Sequence, residues 1–226
     1  MIINKVYHLA DLHIRNLQRH KEYRLIFQKF LKQVKKDKIE DSVIYLAGDI
    51  AHAKTEMSPE LIQEISWFLT ECAKLRETVL ITGNHDCNLN NNHRLDVLTP
   101  IVDNLNNPRI HYLRDTGVYN IHNLTFCVYS ILDNKENWPH GSTVKGENTI
   151  CLFHGPVNKA ETDIGYTVSS NSFQVDMFDG FDMAMLGDIH KRQTFGTGYE
   201  HVAYAGSMVQ QNHGEVLEKH GYLLWD

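Results

Sequence analysis

Apolar residues in this chain fall into short runs whose spacing alternates between extended and helical over the first hundred positions. Val6-Tyr7-His8-Leu9-Ala10, Val43-Ile44-Tyr45-Leu46-Ala47 and Val79-Leu80-Ile81 have the length and composition of buried strands. Between the first two, Tyr23, Phe27, Phe30, Leu31 and Val34 recur at helical intervals among Lys and Gln, which predicts an amphipathic helix. Between the second and third, Ser58-Pro59-Glu60 supplies an N-cap, a proline at the first helical position and an acid in the first turn. Leu61, Ile65, Phe68 and Leu69 then give that helix a core face. Strand–helix–strand–helix–strand is the α/β pattern, in which sites gather at strand C-termini.

From Arg109 onward the runs shorten and become β-like. Residues 110–113, 118–121, 124–129 and 149–153 are predicted strands, with Asn123 turning a hairpin between the second and third. Residues 183–186, 202–205 and 222–225 follow in the same style. Two longer polar loops, 132–146 and 156–173, are placed to flank a cleft. Two sheets packed face to face with helices outside account for this series, in one domain of 226 residues.

Composition narrows the class. With 42% apolar residues the chain is globular rather than disordered. No apolar run approaches the roughly 20 residues that span a bilayer, and no signal peptide is visible. The four cysteines, at 72, 87, 127 and 151, form no Cys-x-x-Cys pair. Buried, reduced thiols of a cytoplasmic or nuclear compartment are expected. The net charge of −6 argues against nucleic-acid binding by bulk charge, yet residues 1–40 carry ten Lys and Arg against four Asp and Glu. The basic helix within 15–38 is therefore either a phosphate-tracking face or a solvated one.

Fourteen histidines are the compositional feature with chemical content. Five predicted strand ends present Asp11 and His13, Asp49, Asn84 and His85, His154, and Asp188 with His190. Asp-x-His places two donors on one side of an extended chain, where both can hold one ion. Carboxylates, an amide oxygen and imidazoles form a mixed oxygen and nitrogen set, suited to Mn, Fe or Zn but not to a structural zinc. Two divalent ions can bridge a phosphoryl oxygen and lower the pKa of water, while an uncoordinated histidine protonates a leaving alkoxide.

Asp11-Leu12-His13, Gly48-Asp49, Gly83-Asn84-His85-Asp86, His154-Gly155 and Gly187-Asp188-Ile189-His190, in that order, resemble the calcineurin-like metallophosphoesterase superfamily. The resemblance implies an α/β four-layer sandwich (αββα), two sheets flanked by helices, with two metal ions at one edge. It implies that Asp11, His13 and His190 hold the first ion, that Asp49 bridges, and that Asn84, His154 and Asp188 hold the second. His85 would be the catalytic acid. Two motifs depart from the pattern: His154 precedes its glycine, and Asp188 stands where the family usually has histidine. Three carboxylates against two divalent ions leave about +1 rather than about +2, a bias toward Mn²⁺ or Mg²⁺ over Zn²⁺, with Fe²⁺ also compatible with the set.

Leu9-Ala10-Asp11-Leu12-His13, Gly48-Asp49 with His52 three residues on, and Gly187-Asp188-Ile189-His190-Lys191 followed by Tyr204-Ala205-Gly206-Ser207 resemble the SbcD-type DNA repair nuclease branch. In that branch a histidine at the position of His52 approaches the scissile phosphate, and partners are DNA, an SMC-like ATPase and a second copy of the chain. Residues 1–226 would be the nuclease core alone, without the branch's capping domain. The expectation is thus a manganese-dependent DNA nuclease, exo- or endonucleolytic. The alternatives are a phosphatase or small-molecule phosphodiesterase on the same fold, and a non-catalytic scaffold that binds no metal.

Overall fold

The computed structural model describes residues 2–37, 39–91, 93–169, 173–215 and 220–226. The N-terminal half alternates as the apolar runs require: β1 (Lys5–Leu9), α1 (His20–Asp37), β2 (Ser42–Leu46), α2 (Pro59–Leu75), β3 (Glu77–Leu80), α3 (Leu98–Leu105) and β4 (Ile110–Tyr112). The C-terminal half contains β5 (Gly117–Ile121), β6 (Leu124–Tyr129), β7 (Thr149–His154), β8 (Met183–Gly187), β9 (Gln193–Thr194), β10 (Val202–Tyr204) and β11 (Leu223–Trp225). Ser58 caps α2 as expected, its hydroxyl accepting from the Leu61 amide at 3.2 Å. The basic stretch divides: 15–19 form a loop, α1 begins at His20, and Lys38 lies outside the described residues, as do 170–172 of the second long loop.

The first sheet has the order β11-β1-β2-β3-β4, parallel except for β11, which returns antiparallel on β1. The second has the order β5-β6-β7-β8-β10-β9, with β6, β7, β8 and β10 parallel. Its hairpin turns at His122-Asn123, where Asn123 also clamps the backbone of Ile3 through bonds of 2.6 and 3.0 Å. Strand alternation then builds three apolar layers. Tyr7, Leu9, Ile44 and Leu46 face the helices and pack with Phe27, Phe68 and Leu98. Val43, Tyr45 and Val79 meet Phe126, Leu152 and Met185 between the sheets. Tyr129, Phe153 and Leu186 pack outward with Phe178 and Trp138.

The expected αββα order holds, with a qualification on its fourth layer. Three α-helices cover the first sheet, whereas the described cover of the second is loops and short 3-10 turns at Lys135–Asn137, Gly141–Thr143 and Val175–Phe178. Because parallel strands end at one edge, the turns after β1, β2 and β3 come out together, and those after β7 and β8 do the same. All four cysteines are buried free thiols. Among the described residues, no helix is long and apolar enough to cross a membrane.

Candidate metal centre

The turns leaving β1, β2 and β8 are bent into left-handed backbone at charged or histidine positions. Asp11, His13, Asp49 and Asp188 have φ of 52, 44, 52 and 98°. Such conformations cost an L-residue about 1–2 kcal/mol, and they gather where function over-determines the backbone. The turns are laced together: the amides of His13 and Ile14 each donate at 2.9 Å to the carbonyls of Asp49 and Ile50. Gly48 and Gly83 are required by close approach. A Cβ on Gly48 would lie 2.6 Å from His154 Nδ1, and one on Gly83 would collide with the Asp49 carboxylate.

The side chains converge on two adjoining points. At the first, His13 Nε2 and His190 Nε2 lie 3.1 Å apart, and Asp11, His13 and His190 each offer an atom within 4.8 Å of the others. At the second, His154 Nδ1–H donates to the Ala47 carbonyl at 2.6 Å, which turns Nε2 toward Asn84 Oδ1 at 3.0 Å and Asp188 Oδ1 at 3.8 Å. Asp49 Oδ2 stands between the two points, 3.5 Å from His13 Nε2 and 3.4 Å from His154 Nε2. Its other oxygen accepts from the His85 amide at 2.8 Å.

This donor set fits cations. Two imidazole nitrogens face each other, and beside them one imidazole faces three oxygens, with its tautomer already fixed by Ala47. Lone pairs gathered this way need positive charge among them. The titration of the chain alone shows the same demand. Burial pushes the Asp11 carboxyl up to about 7, against the pull of His154 and His190. Burial works against charge on His154 too, yet Asp49 and then Asp11 and Asp188 raise it well above an ordinary imidazole. Burial opposes ionisation of Asp49, but His154 and His13 hold its carboxyl well below the usual range.

His85 stands over this cluster. Its Nδ1–H donates to the His52 carbonyl at 2.6 Å, which leaves Nε2 free to hold a proton. Its ring lies 4.6 Å from that of His13 and 5.5 Å from that of His52. Each residue singled out in the sequence is therefore within one constellation, drawn from both sheets.

The sequence motifs assign no role to three supporting groups. Glu215 is buried and accepts from His190 Nδ1 at 2.7 Å, from Asn212 at 2.8 Å and from the Gln211 amide at 2.6 Å. Asp86, fully buried, accepts from the amides of Gly83 and Ala51 at 2.9 Å and of Ile50 at 3.3 Å, pinning the β2 and β3 turns to each other. Burial and Asp49 raise its carboxyl to about 7. The third is the Ala47 carbonyl, which no side-chain reading could find.

The profile of the calcineurin-like phosphoesterase family matches residues 4–192, a span holding every converging donor. The chain belongs to the calcineurin-like phosphoesterases. Members use divalent metals to hydrolyse phosphoesters, and in this phosphoesterase Asp11, His13, Asp49, Asn84, His154, Asp188 and His190 could hold them. An uncharacterized protein of Acanthamoeba polyphaga mimivirus is 42% identical over 236 aligned positions, covering 99% of this chain; the chain spans 17% of that protein's length. The fold is similar to that of TT1561 of Thermus thermophilus, with a TM-score of 0.51, 10% identity and coverage of 91% and 90% of the two chains. Nuclease MPE of Pseudomonas putida superposes with a TM-score of 0.45 and 14% identity over 95% of this chain and 80% of its own.

The basic segment of this phosphoesterase is partly committed. Arg15 and Arg19 donate to the carbonyls of Gln211 and Gln210, and Arg24 pairs with Glu64 beneath Trp67. Lys21, Lys29, Lys32, Lys35 and Lys36 stay exposed on α1.

Proposed function

We propose that this chain is a metal-dependent nuclease that hydrolyses DNA phosphodiesters. The observation that carries the reading is the His85–His52 pair set over a cluster of three carboxylates and three imidazoles. Bound divalent ions would supply charge neutralisation at the phosphoryl oxygens and a water of lowered pKa. Asp11, His13 and His190 would hold one ion, Asn84, His154 and Asp188 the other, with Asp49 shared. Three carboxylates favour Mn²⁺ or Mg²⁺.

The chain's own residues do the rest. Asp86 and the glycines hold the turns at fixed spacing, and Glu215 keeps His190 in one tautomer. His85, its Nδ1 occupied by the His52 carbonyl, offers Nε2 as the general acid for the departing 3′-oxygen. His52, whose Nδ1 is buried without a partner, lies beside it to meet the phosphate. The exposed lysines of α1, whose Tyr23 hydroxyl donates to the His13 carbonyl, support backbone contacts that position DNA without reading its sequence.

The test is degradation of labelled single- and double-stranded DNA with Mn²⁺, beside His85→Ala. DNA is expected to be cut, and the variant to be slower by about 10²–10⁴-fold. Intact DNA with hydrolysis of small phosphoesters would replace the nuclease reading with the phosphatase or small-molecule phosphodiesterase one. An unimpaired variant would remove His85 from the proposed role.

A further inference from the structure

A cavity of about 400 Å³ opens beside the second donor point, with Asn84, His154 and Asp188 in its lining. Most of the remaining lining is hydrocarbon. Trp138 lies in it, stacked on Tyr129 at 4.9 Å and on Phe173 at 5.8 Å, with the edge of Phe153 at 5.4 Å. Leu89 adds an aliphatic side chain that is 51% exposed, on the segment that follows the β3 turn. The two long polar loops contribute Trp138 and Phe173, so they do flank a cleft.

Displacement at phosphorus needs no such surface. The cavity is also unsuited to the phosphate itself, since Asp133 and Asp188 set two carboxylates against the single ammonium of Lys135. An uncharged, flat group covalently attached to a phosphate is what this lining accepts: a rigid wall of packed aromatic side chains against its π surface, and one wall shared with the groups that hold the phosphate's counter-ions.

We propose that the cavity receives the nucleobase of the nucleotide bonded to the scissile phosphate, an inference that rests on the phosphodiesterase reading above. Stacking on an aromatic side chain accepts every base, so the subsite confers a requirement for a base rather than for a sequence. A base seated there has left its own stack and its pairing partner. The cleaved residue is therefore single-stranded, or frayed from a duplex end.

Two measurements test this. The first compares binding of thymidine 5′-monophosphate with that of 2-deoxyribose 5-phosphate, by calorimetry with Mg²⁺, in wild type, Trp138→Ala and Leu89→Ala. Wild type is expected to prefer the base-bearing ligand by about 5- to 150-fold, the range for stacking one base on an aromatic side chain. The preference should fall toward unity in Trp138→Ala and partly in Leu89→Ala. A ratio of affinities does not depend on the folded fraction, and half-exposed Leu89 guards against a local packing defect at Trp138. The same preference in all three proteins, or none in wild type, overturns the proposal. The second measures cleavage of an oligothymidylate against the same strand carrying one abasic residue. Slower cutting beside the abasic residue, lost in Trp138→Ala, supports it; equal cutting in wild type overturns it. Intact oligonucleotides with the binding preference retained would dismiss the nuclease reading and leave the base subsite standing.

Discussion

His8 should give this protein an acid-sensitive stability that a single substitution removes. The residue sits on β1 with no exposure to solvent, its Nε2–H donating to the Leu186 carbonyl at 3.1 Å and its Nδ1 accepting from Trp225 Nε1 at 3.3 Å. Both nitrogens are thus satisfied only in the neutral ring, 5.2 Å from the ring of Tyr45. Burial pushes its pKa down to about 3, from an ordinary value of 6.5. Above pH 6.5 folded and unfolded chains are both neutral here, and the group contributes no pH dependence. Below it the unfolded chain takes up a proton that the folded chain refuses until about pH 3, so stability falls by about 1.4 kcal/mol per pH unit. At pH 5 the loss from this group is about 2 kcal/mol. His8→Gln keeps a donor and an acceptor and cannot titrate. Urea unfolding in chelator at pH 7.5 and pH 5.0 should show a pH-dependent loss about 2 kcal/mol smaller in the variant than in wild type. The titrating groups of the metal centre are common to both proteins and cancel in that difference. Parallel losses would refute the reasoning, whatever the variant's stability at pH 7.5.

Three further outcomes follow from the same geometry. Asp86→Asn should lower thermal stability by about 1–3 kcal/mol, because a carboxamide cannot accept from all three amides that meet Asp86; an unchanged melting temperature would mean that water replaces it. Glu215→Ala should weaken binding of Mn²⁺ about 10–100-fold by freeing the His190 ring, with Glu215→Gln recovering part of it; equal affinities in calorimetry would deny Glu215 a positioning role. Mn²⁺ at 100 times its dissociation constant should raise the unfolding free energy by about 2.7 kcal/mol per independent site, reversed by chelation, and a melting temperature indifferent to metal would argue against the converging donors as its ligands.

The strand-end clusters were legible because each polar group follows directly on an apolar run, and α/β topology leaves such groups only one edge on which to meet. Ser58-Pro59-Glu60 and the hairpin at Asn123 were legible for a related reason, since caps and turns are local chemistry. Which strands pair was not: β4 beside β3 and β11 beside β1 are contacts across long stretches of chain. The short α3 lacks a local start signal at its N-cap, although Leu98, Ile101, Val102 and Leu105 have helical spacing. Its start is marked only by Asp96, whose carboxylate takes the amides of Leu98 and Thr99 at 2.9 and 2.8 Å. Glu215 was invisible because it follows no strand and belongs to no spacing; it reaches His190 from a loop. Asp86 stood within the motif, but nothing local distinguishes a carboxylate that binds backbone from one that binds metal.

The left-handed turns at Asp11, Asp49 and Asp188 carry a further implication for how such a domain can change over evolutionary time. Glycine would adopt these angles without steric penalty, and replacing Asp11 or Asp188, whose carboxyls burial and neighbouring carboxylates push up, would also remove a buried charge. For the fold in isolation, then, part of the chemistry is a burden: Asp188→Gly trades a donor for an easier backbone. A lineage released from selection for hydrolysis could lose its reactivity while keeping its architecture, and inert descendants that serve only as binding platforms would be the low-energy destination of drift.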